Sequence, residues 1–139
     1  MATELLQPAV ALLLWTAVMW VWMYATRIPA IGASGIEFDS AAPNGDQLKE
    51  LPAAVRWKAD NYNHLHEQPT LFYAVIAFLV LANAVSSMAV ILAWTYVGIR
   101  VVHSLVQSLG NPIPLRFGIF CLASLALFGL FGLAALAVF

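Results

Sequence analysis

The chain has 139 residues, of which 63% are hydrophobic and 9% charged, with a mean hydropathy of +0.86 and a net charge of −1. A soluble domain of this size cannot bury so much apolar surface, so the composition indicates an integral membrane protein and gives no indication of nucleic acid as a partner. The single cysteine, Cys121, excludes an intrachain disulfide. Because it lies in an apolar stretch, we expect it to be buried and unreactive.

The first predicted membrane span covers residues 5–26, which contain no charged side chain. A helix of about 20 apolar residues is long enough to cross a bilayer. No Lys or Arg precedes this run, whereas a secretory signal peptide begins with a positively charged segment. We therefore interpret the run as a retained helix. Pro29, Gly32, Gly35 and the turn Pro43-Asn-Gly-Asp46 then predict a long loop.

Three further spans are predicted in the rest of the chain. The charge-free run 68–99 is too long for one span of about 20 residues, and the small and polar residues 83–87 predict a tight helical hairpin within it. The second and third spans are then about 63–83 and 88–109. Gly110-Asn-Pro-Ile-Pro114 ends the third span, and residues 115–138 form the fourth. The prediction is a single all-α domain over residues 1–139, an integral membrane four-helix bundle.

The basic residues predict the orientation of these spans. All six lie on or toward one side: Arg27, Lys49, Arg56, Lys58, Arg100 and Arg116. Cytoplasmic loops carry an excess of Lys and Arg, so we expect the first and third loops in the cytoplasm and both termini on the opposite side. The tryptophans are expected at the membrane interface or facing lipid.

Arg100, His103 and Gln107 share one helical face inside the third span. Ionisable side chains at bilayer depth are costly and usually face a bundle interior or a wet cavity. Glu67 lies at a similar depth on the second span, so we expect it to pair with Arg100. Such a pair either holds two helices together or belongs to a ligand site, and both interpretations stay open. Pro69 predicts a local irregularity beside Glu67.

A polar stripe on the second span and a histidine-rich segment need separate interpretations. Arg56, Asp60, Asn63 and Glu67 follow a four-three-four spacing that keeps them on one helical face. His64 and Glu67 also share a face, but His66 points elsewhere. A metal site needs three or four converging ligands, so we predict no metal.

The segment Asn61-Tyr-Asn-His-Leu-His-Glu67-Gln-Pro-Thr-Leu-Phe-Tyr73 resembles the second-helix motif of the MAPEG family, the membrane-associated proteins of eicosanoid and glutathione metabolism. The segment is similar in particular to the bacterial branch of that family. Arg100-x-x-His103 is similar to the third-helix motif, and Arg116 has the spacing of the fourth-helix arginine in glutathione-using members. Arg27 stands where several members carry a glutathione-contacting arginine. The resemblance covers essentially the whole chain.

The resemblance implies a homotrimer in which glutathione is a co-substrate, bound between neighbouring subunits near the cytoplasmic side. It implies that Arg116 is catalytic and stabilises the thiolate. It also implies a set of glutathione-binding residues: Arg27, Asn61, Glu67, Arg100 and His103. The other expected partners are membrane lipids and a lipophilic small-molecule substrate, and the bacterial branch implies an inner-membrane location.

Three positions depart from the family pattern. Gln107 and Phe120 stand where many glutathione-handling members have tyrosine, and His64 stands where asparagine is common. Two functions therefore remain open: a glutathione transferase-like enzyme that conjugates or reduces lipophilic electrophiles, and a noncatalytic trimeric lipid-binding or scaffold protein. A proton or ion pathway through Glu67 and His103 has little support, because the polar residues stop midway across the predicted bundle.

Overall fold

The structure, a computed structural model, describes residues 2–139 and confirms the predicted all-α fold, with no strand in that range. Residues 2–139 fold into five α-helices and one short 3₁₀ helix, Gln47–Glu50. The α-helices are α1 (Ala2–Ser34), α2 (Ala53–His64), α3 (Gln68–Leu81), α4 (Ser87–Leu109) and α5 (Ile113–Val138). Of these, α1, α4 and α5 are long and apolar enough to cross a membrane. Helices α2 and α3 together form the remaining member of a four-helix membrane bundle.

Helix α1 is longer than the predicted first span. It continues past residue 26 to Ser34 and includes Pro29 within its length. Gly35 follows with φ +67°, the left-handed conformation in which glycine commonly ends a helix. The expectation of a loop beginning around Pro29 was therefore wrong, because the left-handed glycine and not the proline marks the end of the helix.

The second helical member of the bundle is interrupted between α2 and α3. Helix α2 ends at His64, and α3 begins at Gln68 with Pro69 in its first turn. Proline has no backbone N–H, and its ring clashes with the carbonyl four residues earlier, which is that of Leu65. The irregularity expected at Pro69 is present as a complete break across residues 65–67. This break decides which side chains of α2 face α4.

The two remaining turns lie where proline, glycine and asparagine mark them in the sequence. Asn83 and Asn111 adopt left-handed φ angles of 53° and 50°, a conformation that asparagine tolerates better than most residues. The Ser86 hydroxyl accepts a hydrogen bond from the backbone N–H of Ala89 at 3.2 Å and so caps α4. These turns hold α4 antiparallel to α3 and α5 antiparallel to α4.

The core lies between the helices, and large apolar side chains cover the outer faces. Leu12, Phe72, Tyr96 and Leu127 are among the residues fully buried in the core. Trp20 and Trp94 are exposed, whereas Trp15 and Trp22 pack against the core from its edge. An apolar outer surface on an all-helical bundle is the arrangement that a lipid environment requires.

Cys121 is exposed on α5, so the expectation that it is buried was wrong. The apolar surroundings in the sequence did not identify the face on which it lies. Its neighbours at helical spacing on α5 are themselves exposed large hydrophobic side chains, namely Phe117, Leu125 and Phe128. In a membrane protein, an apolar stretch is as compatible with the outer face as with the core.

Candidate functional site

A first cavity of about 380 Å³ lies where the end of α1, the first interhelical loop and α2 meet. Three of its lining side chains are cationic and one is a carboxylate, so its charge favours an anionic ligand. The polar stripe predicted on α2 is present here in three of its four members. The lining residues are Arg27, Gly45, Leu48, Lys49, Arg56, Ala59, Asp60 and Asn63.

The cations of this first cavity are held in different ways. The Nε of Arg56 donates to the carbonyl of Leu51 at 3.0 Å, which fixes this side chain near the start of α2. Lys49 forms an ion pair with Asp46 in the loop. The Nε of Arg27 is buried and has no hydrogen-bond partner among residues 2–139. A buried donor without a partner is unfavourable, so an anion at Arg27 would satisfy it.

A second cavity, of about 240 Å³, lies between α2, α4 and the start of α5. Its lining combines one cation and two imidazoles with three apolar side chains: His64, His103, Ile113, Arg116, Phe117 and Phe120. The rings of His64 and His103 stack with centroids 4.9 Å apart, and the ring of Phe120 meets that of His64 edge-on at 5.6 Å. Within residues 2–139 no group of three His, Cys, Asp or Glu side chains is placed to hold a metal ion.

Arg116 is positioned by the turn before α5. Its Nη1 donates to the Oδ1 of Asn111 at 2.5 Å, and its backbone N–H donates to the carbonyl of Pro112. The left-handed conformation of Asn111 places its short side chain close to this first helical turn. The guanidinium is therefore held at the wall of the second cavity by a neutral acceptor, which leaves its positive charge uncompensated by this contact.

Arg100 is completely buried, with 0% of its side chain exposed, and it lies against His64. Its Nη2 is 2.8 Å from the Nδ1 of His64 and 3.2 Å from the carbonyl oxygen of the same residue. The predicted ion pair between Arg100 and Glu67 is not formed in the described part of the chain. Helix α2 ends at His64, so the helical spacing that would have turned Glu67 toward α4 does not extend that far. Glu67 is exposed instead.

Asn61 belongs to a buried polar seam between α2 and α4. Its side chain is 0% exposed, and both amide atoms lack a partner among residues 2–139. At one end of the seam, the Nζ of Lys58 donates to the carbonyls of Ala54 at 2.8 Å and Ser108 at 3.5 Å. At the other end are the His64–Arg100 contacts. Other buried side-chain oxygens in this part of α4 also lack partners, namely those of Ser104, Gln107 and Ser108.

The six predicted site residues are therefore divided among different environments. His103 and Arg116 line the second cavity, and Arg100 lies behind it in contact with His64. Arg27 lines the first cavity. Asn61 and Glu67 line neither of these two cavities.

His64 has a more central position than the sequence indicated. It was recognised as a departure from a family pattern, but its contact with Arg100 was not predicted. Glu67 was the expected partner of Arg100, and His64 takes its place because α2 ends at His64. The place of Lys49 in the wall of the first cavity was not predicted either, because the sequence indicated a loop there, whereas Lys49 lies in the 3₁₀ helix Gln47–Glu50.

Comparison with known proteins agrees with the resemblance seen in the second-helix segment. The profile of the MAPEG family matches residues 5–136, nearly the full length of the chain. No curated protein and no solved structure matches. The match extends from within α1 to within α5 and includes the residues that line both cavities. The chain belongs to the MAPEG family.

Proposed function

We propose that this protein is a membrane-bound glutathione transferase-like enzyme that uses the glutathione thiolate to attack lipophilic electrophiles. The observation that carries the proposal is the second cavity, where the charge of Arg116 lies beside an apolar wall of Ile113, Phe117 and Phe120. Thiolate chemistry needs a cation, and a lipophilic electrophile needs an apolar surface. This cavity combines the two.

Arg116 would act on the thiol before the bond-forming step. A neighbouring guanidinium lowers the pKa of a thiol and so raises the thiolate fraction at neutral pH, with the proton released to water. In conjugation, the sulfur forms a bond to the electrophilic carbon and the leaving group departs with its electron pair. In reduction of a hydroperoxide, the sulfur forms a bond to the terminal peroxide oxygen, the O–O bond breaks, and the alkoxide leaves and takes a proton to become the alcohol. The thiolate of a second glutathione then attacks the resulting sulfenic sulfur, which forms the disulfide and releases the hydroxyl oxygen as water.

The remaining cations suit the carboxylates of glutathione. Arginine recognises carboxylates by paired hydrogen bonds, and the unpartnered Nε of Arg27 provides a buried donor for such a contact. Arg27 and Arg116 line different cavities of one subunit. A homotrimer with glutathione between subunits, as the family resemblance implies, would allow one molecule to reach both through a neighbouring copy. In this arrangement His103 contacts the bound tripeptide, Glu67 faces it from the helix break, and Asn61 and Arg100 support the site from the interior.

The proposal includes an orientation in the membrane. The first cavity contains Arg27, Lys49 and Arg56, and the positive-inside rule places such residues on the cytoplasmic side. Both termini are then on the non-cytoplasmic side. Because the second-helix segment resembles the bacterial branch of the family, the proposed location is a bacterial inner membrane, where the apolar wall of the second cavity would receive substrate from the bilayer.

One observation favours a second candidate, a noncatalytic lipid-binding or scaffold protein. Arg116 donates to Asn111 within its own subunit, a contact that by itself could serve to fix the turn before α5. Gln107, at a position where many glutathione-handling members carry tyrosine, is buried in the α2–α4 seam. If the protein is a noncatalytic scaffold, loss of Arg27 and Arg116 should have no effect on its function.

Glutathione consumption by the purified protein in lipid nanodiscs separates these functions. The electrophiles are an aryl chloride, an α,β-unsaturated ketone and a lipid hydroperoxide, each a class that thiolates attack. With at least one class of electrophile, the native protein should consume glutathione faster than empty nanodiscs do. The kcat/KM for that electrophile should fall at least about tenfold in Arg116→Ala. Glu37→Gln, in an exposed loop position, is the control and should keep the native rate. Rates equal to empty nanodiscs for all three classes would contradict the enzyme reading.

A further inference from the structure

The contact between Arg100 and His64 determines where the proton of the His64 ring lies. A guanidinium has five N–H donors, no acceptor, and stays charged in proteins. The Nδ1 of His64, 2.8 Å from the Nη2 of Arg100, must therefore accept this hydrogen bond and cannot carry a proton. A neutral imidazole with an unprotonated Nδ1 has its proton on Nε2. Arg100 thus fixes the tautomer of His64.

The Nε2–H of His64 has no partner within the described part of the chain, yet it is not enclosed. No residue from 2 to 139 forms a hydrogen bond with this atom, and it is not among the buried side-chain atoms that lack partners. His64 lines the second cavity, so this donor reaches open space there. Stacking against His103 and edge contact with Phe120 hold the ring in its orientation.

The positive charge of Arg100, on the Nδ1 side of the His64 ring, also favours an anion on the Nε2 side of that ring. Arg100 is fully buried, and no carboxylate within residues 2–139 forms an ion pair with it. Its Nε and Nη1 have no hydrogen-bond partner either. A buried guanidinium that forms no ion pair and leaves two of its nitrogens without hydrogen bonds is costly, even with the exposed carboxylate of Glu67 nearby, and an anion bound at the far side of the His64 ring would offset part of that cost. The hydrogen bond from Arg100 polarises the ring and strengthens Nε2–H as a donor.

We propose that His64 binds the sulfur anion of glutathione through its Nε2–H, and that Arg100 is a positioning residue that acts through His64 without touching the ligand. This inference rests on the proposed function, because it assigns the thiolate of that reaction to the second cavity. Arg116 would supply the charge at the cavity wall, and His64 would supply a directed hydrogen bond. Neither the family resemblance nor the spacing in the sequence gave His64 this role.

The tautomer can be measured without any ligand, by nitrogen NMR of ¹⁵N-histidine-labelled protein in nanodiscs. His66→Asn and His103→Asn variants assign the signals of the three histidines. At pH 7 the His64 ring should be neutral with the proton on Nε2. In Arg100→Met this preference should be lost. A native His64 with its proton on Nδ1, or a protonated ring at pH 7, would overturn the proposal.

The second test compares three substitutions by the thiolate absorbance of bound glutathione. His64→Phe keeps a ring but removes the donor, and should lower the ratio of bound thiolate to bound thiol about tenfold, the effect of one hydrogen bond to a charged group. His64→Gln keeps an N–H close to the position of Nε2 and should retain most of the native signal. His66→Phe is the matched control, because His66 is exposed and its Nδ1 contacts the carbonyl of Tyr62.

The outcomes separate this inference from the function on which it rests. Absence of glutathione binding to the native chain would contradict the proposed function and, with it, the role of His64 toward sulfur. Glutathione binding with the same thiolate ratio in His64→Phe, His64→Gln and the native chain would overturn the role of His64 alone. A loss in His64→Phe that His64→Gln restores would support it, since a purely structural ring contact would be kept by phenylalanine and not by glutamine.

Discussion

The Nη2 of Arg100 lies 2.8 Å from the Nδ1 of His64, and this contact joins α4 to the last residue of α2. It exists because the helix ends there: three residues later, Glu67 is exposed and outside the interface. A buried cation therefore faces a neutral imidazole in place of a carboxylate. Its charge is left available to influence the cavity on the other side of the ring.

Arg100→Met should leave the protein as stable as the native chain or more stable. A buried guanidinium without a carboxylate partner is costly, and replacing buried charged groups by apolar ones commonly stabilises by about 1–4 kcal/mol. The loss of two hydrogen bonds to His64 opposes this gain. We expect a net increase in the free energy of unfolding of about 1 kcal/mol, measured by SDS titration in mixed micelles. Lys49→Met, at a position with 73% side-chain exposure, is the control and should change little. A marked loss of stability in Arg100→Met would show that Arg100 is retained for structure.

Asn111→Gly should weaken glutathione binding without harming the fold. Glycine adopts the left-handed φ of 50° freely but removes the oxygen that orients Arg116. A guanidinium that must be ordered on binding costs about 0.5–1.5 kcal/mol, so affinity should fall about three- to tenfold. Calorimetry in nanodiscs measures this change. Asn83→Gly is the matched control, since Asn83 has a similar φ of 53° and lies in the turn before α4. Equal affinities in the two variants would contradict the orienting role of Asn111.

Gly129→Ala should be less stable than Gly132→Ala. A Cβ at Gly129 would lie 3.0 Å from the Cδ1 of Leu92, whereas a Cβ at Gly132 meets no heavy atom within 4 Å. Both substitutions make the same change on α5, so their difference isolates the contact with Leu92 on α4. Overpacking of this kind commonly costs about 1–3 kcal/mol. Thermal unfolding in detergent should give the lower Tm for Gly129→Ala, and identical Tm values would mean that Leu92 moves aside freely.

Gln68 should couple α3 energetically to α5 and α4. Its Nε2 donates to the hydroxyl of Ser124 at 2.9 Å, and its Oε1 accepts from the hydroxyl of Tyr96 at 3.3 Å. Side-chain hydrogen bonds between membrane helices contribute about 0.6 kcal/mol on average. A double-mutant cycle with Gln68→Ala and Ser124→Ala should give a coupling of about this size. Additive effects of the two substitutions would show that the hydrogen bond contributes no measurable stability.

The general fold could be predicted from the sequence because membrane composition and helix breakers are strong physical constraints. The apolar runs required helices, and residues 83–87 and 110–114 indicated where the chain must turn. The end of α1 was harder, because Pro29 is compatible with a helix interior in which Gly35 supplies the left-handed end. Helix-breaking residues are easy to identify in a sequence, but the position at which the helix actually ends is harder to predict.

The site was predictable in its residue types but not in its pairings. Arg100 and His103 were identified as an inward-facing polar pair, and both are buried, with 0% and 1% of their side chains exposed. The partner of Arg100 was not identified, because the prediction assumed a continuous helix through Glu67. The helix is in fact interrupted at residues 65–67. Three residues of irregular backbone change which side chain faces α4. Periodicity cannot describe side chains on the far side of such a break.

Glutathione binding to the native protein in nanodiscs, measured by calorimetry together with thiolate absorbance, tests the central claim most directly. Arg116→Ala is the matched variant, because it removes the cation of the second cavity and leaves the cations of the first cavity in place. The account predicts that the native chain binds glutathione with a thiolate signal and that this signal is lost in Arg116→Ala. No binding at millimolar glutathione, or an unchanged thiolate signal in Arg116→Ala, would contradict it.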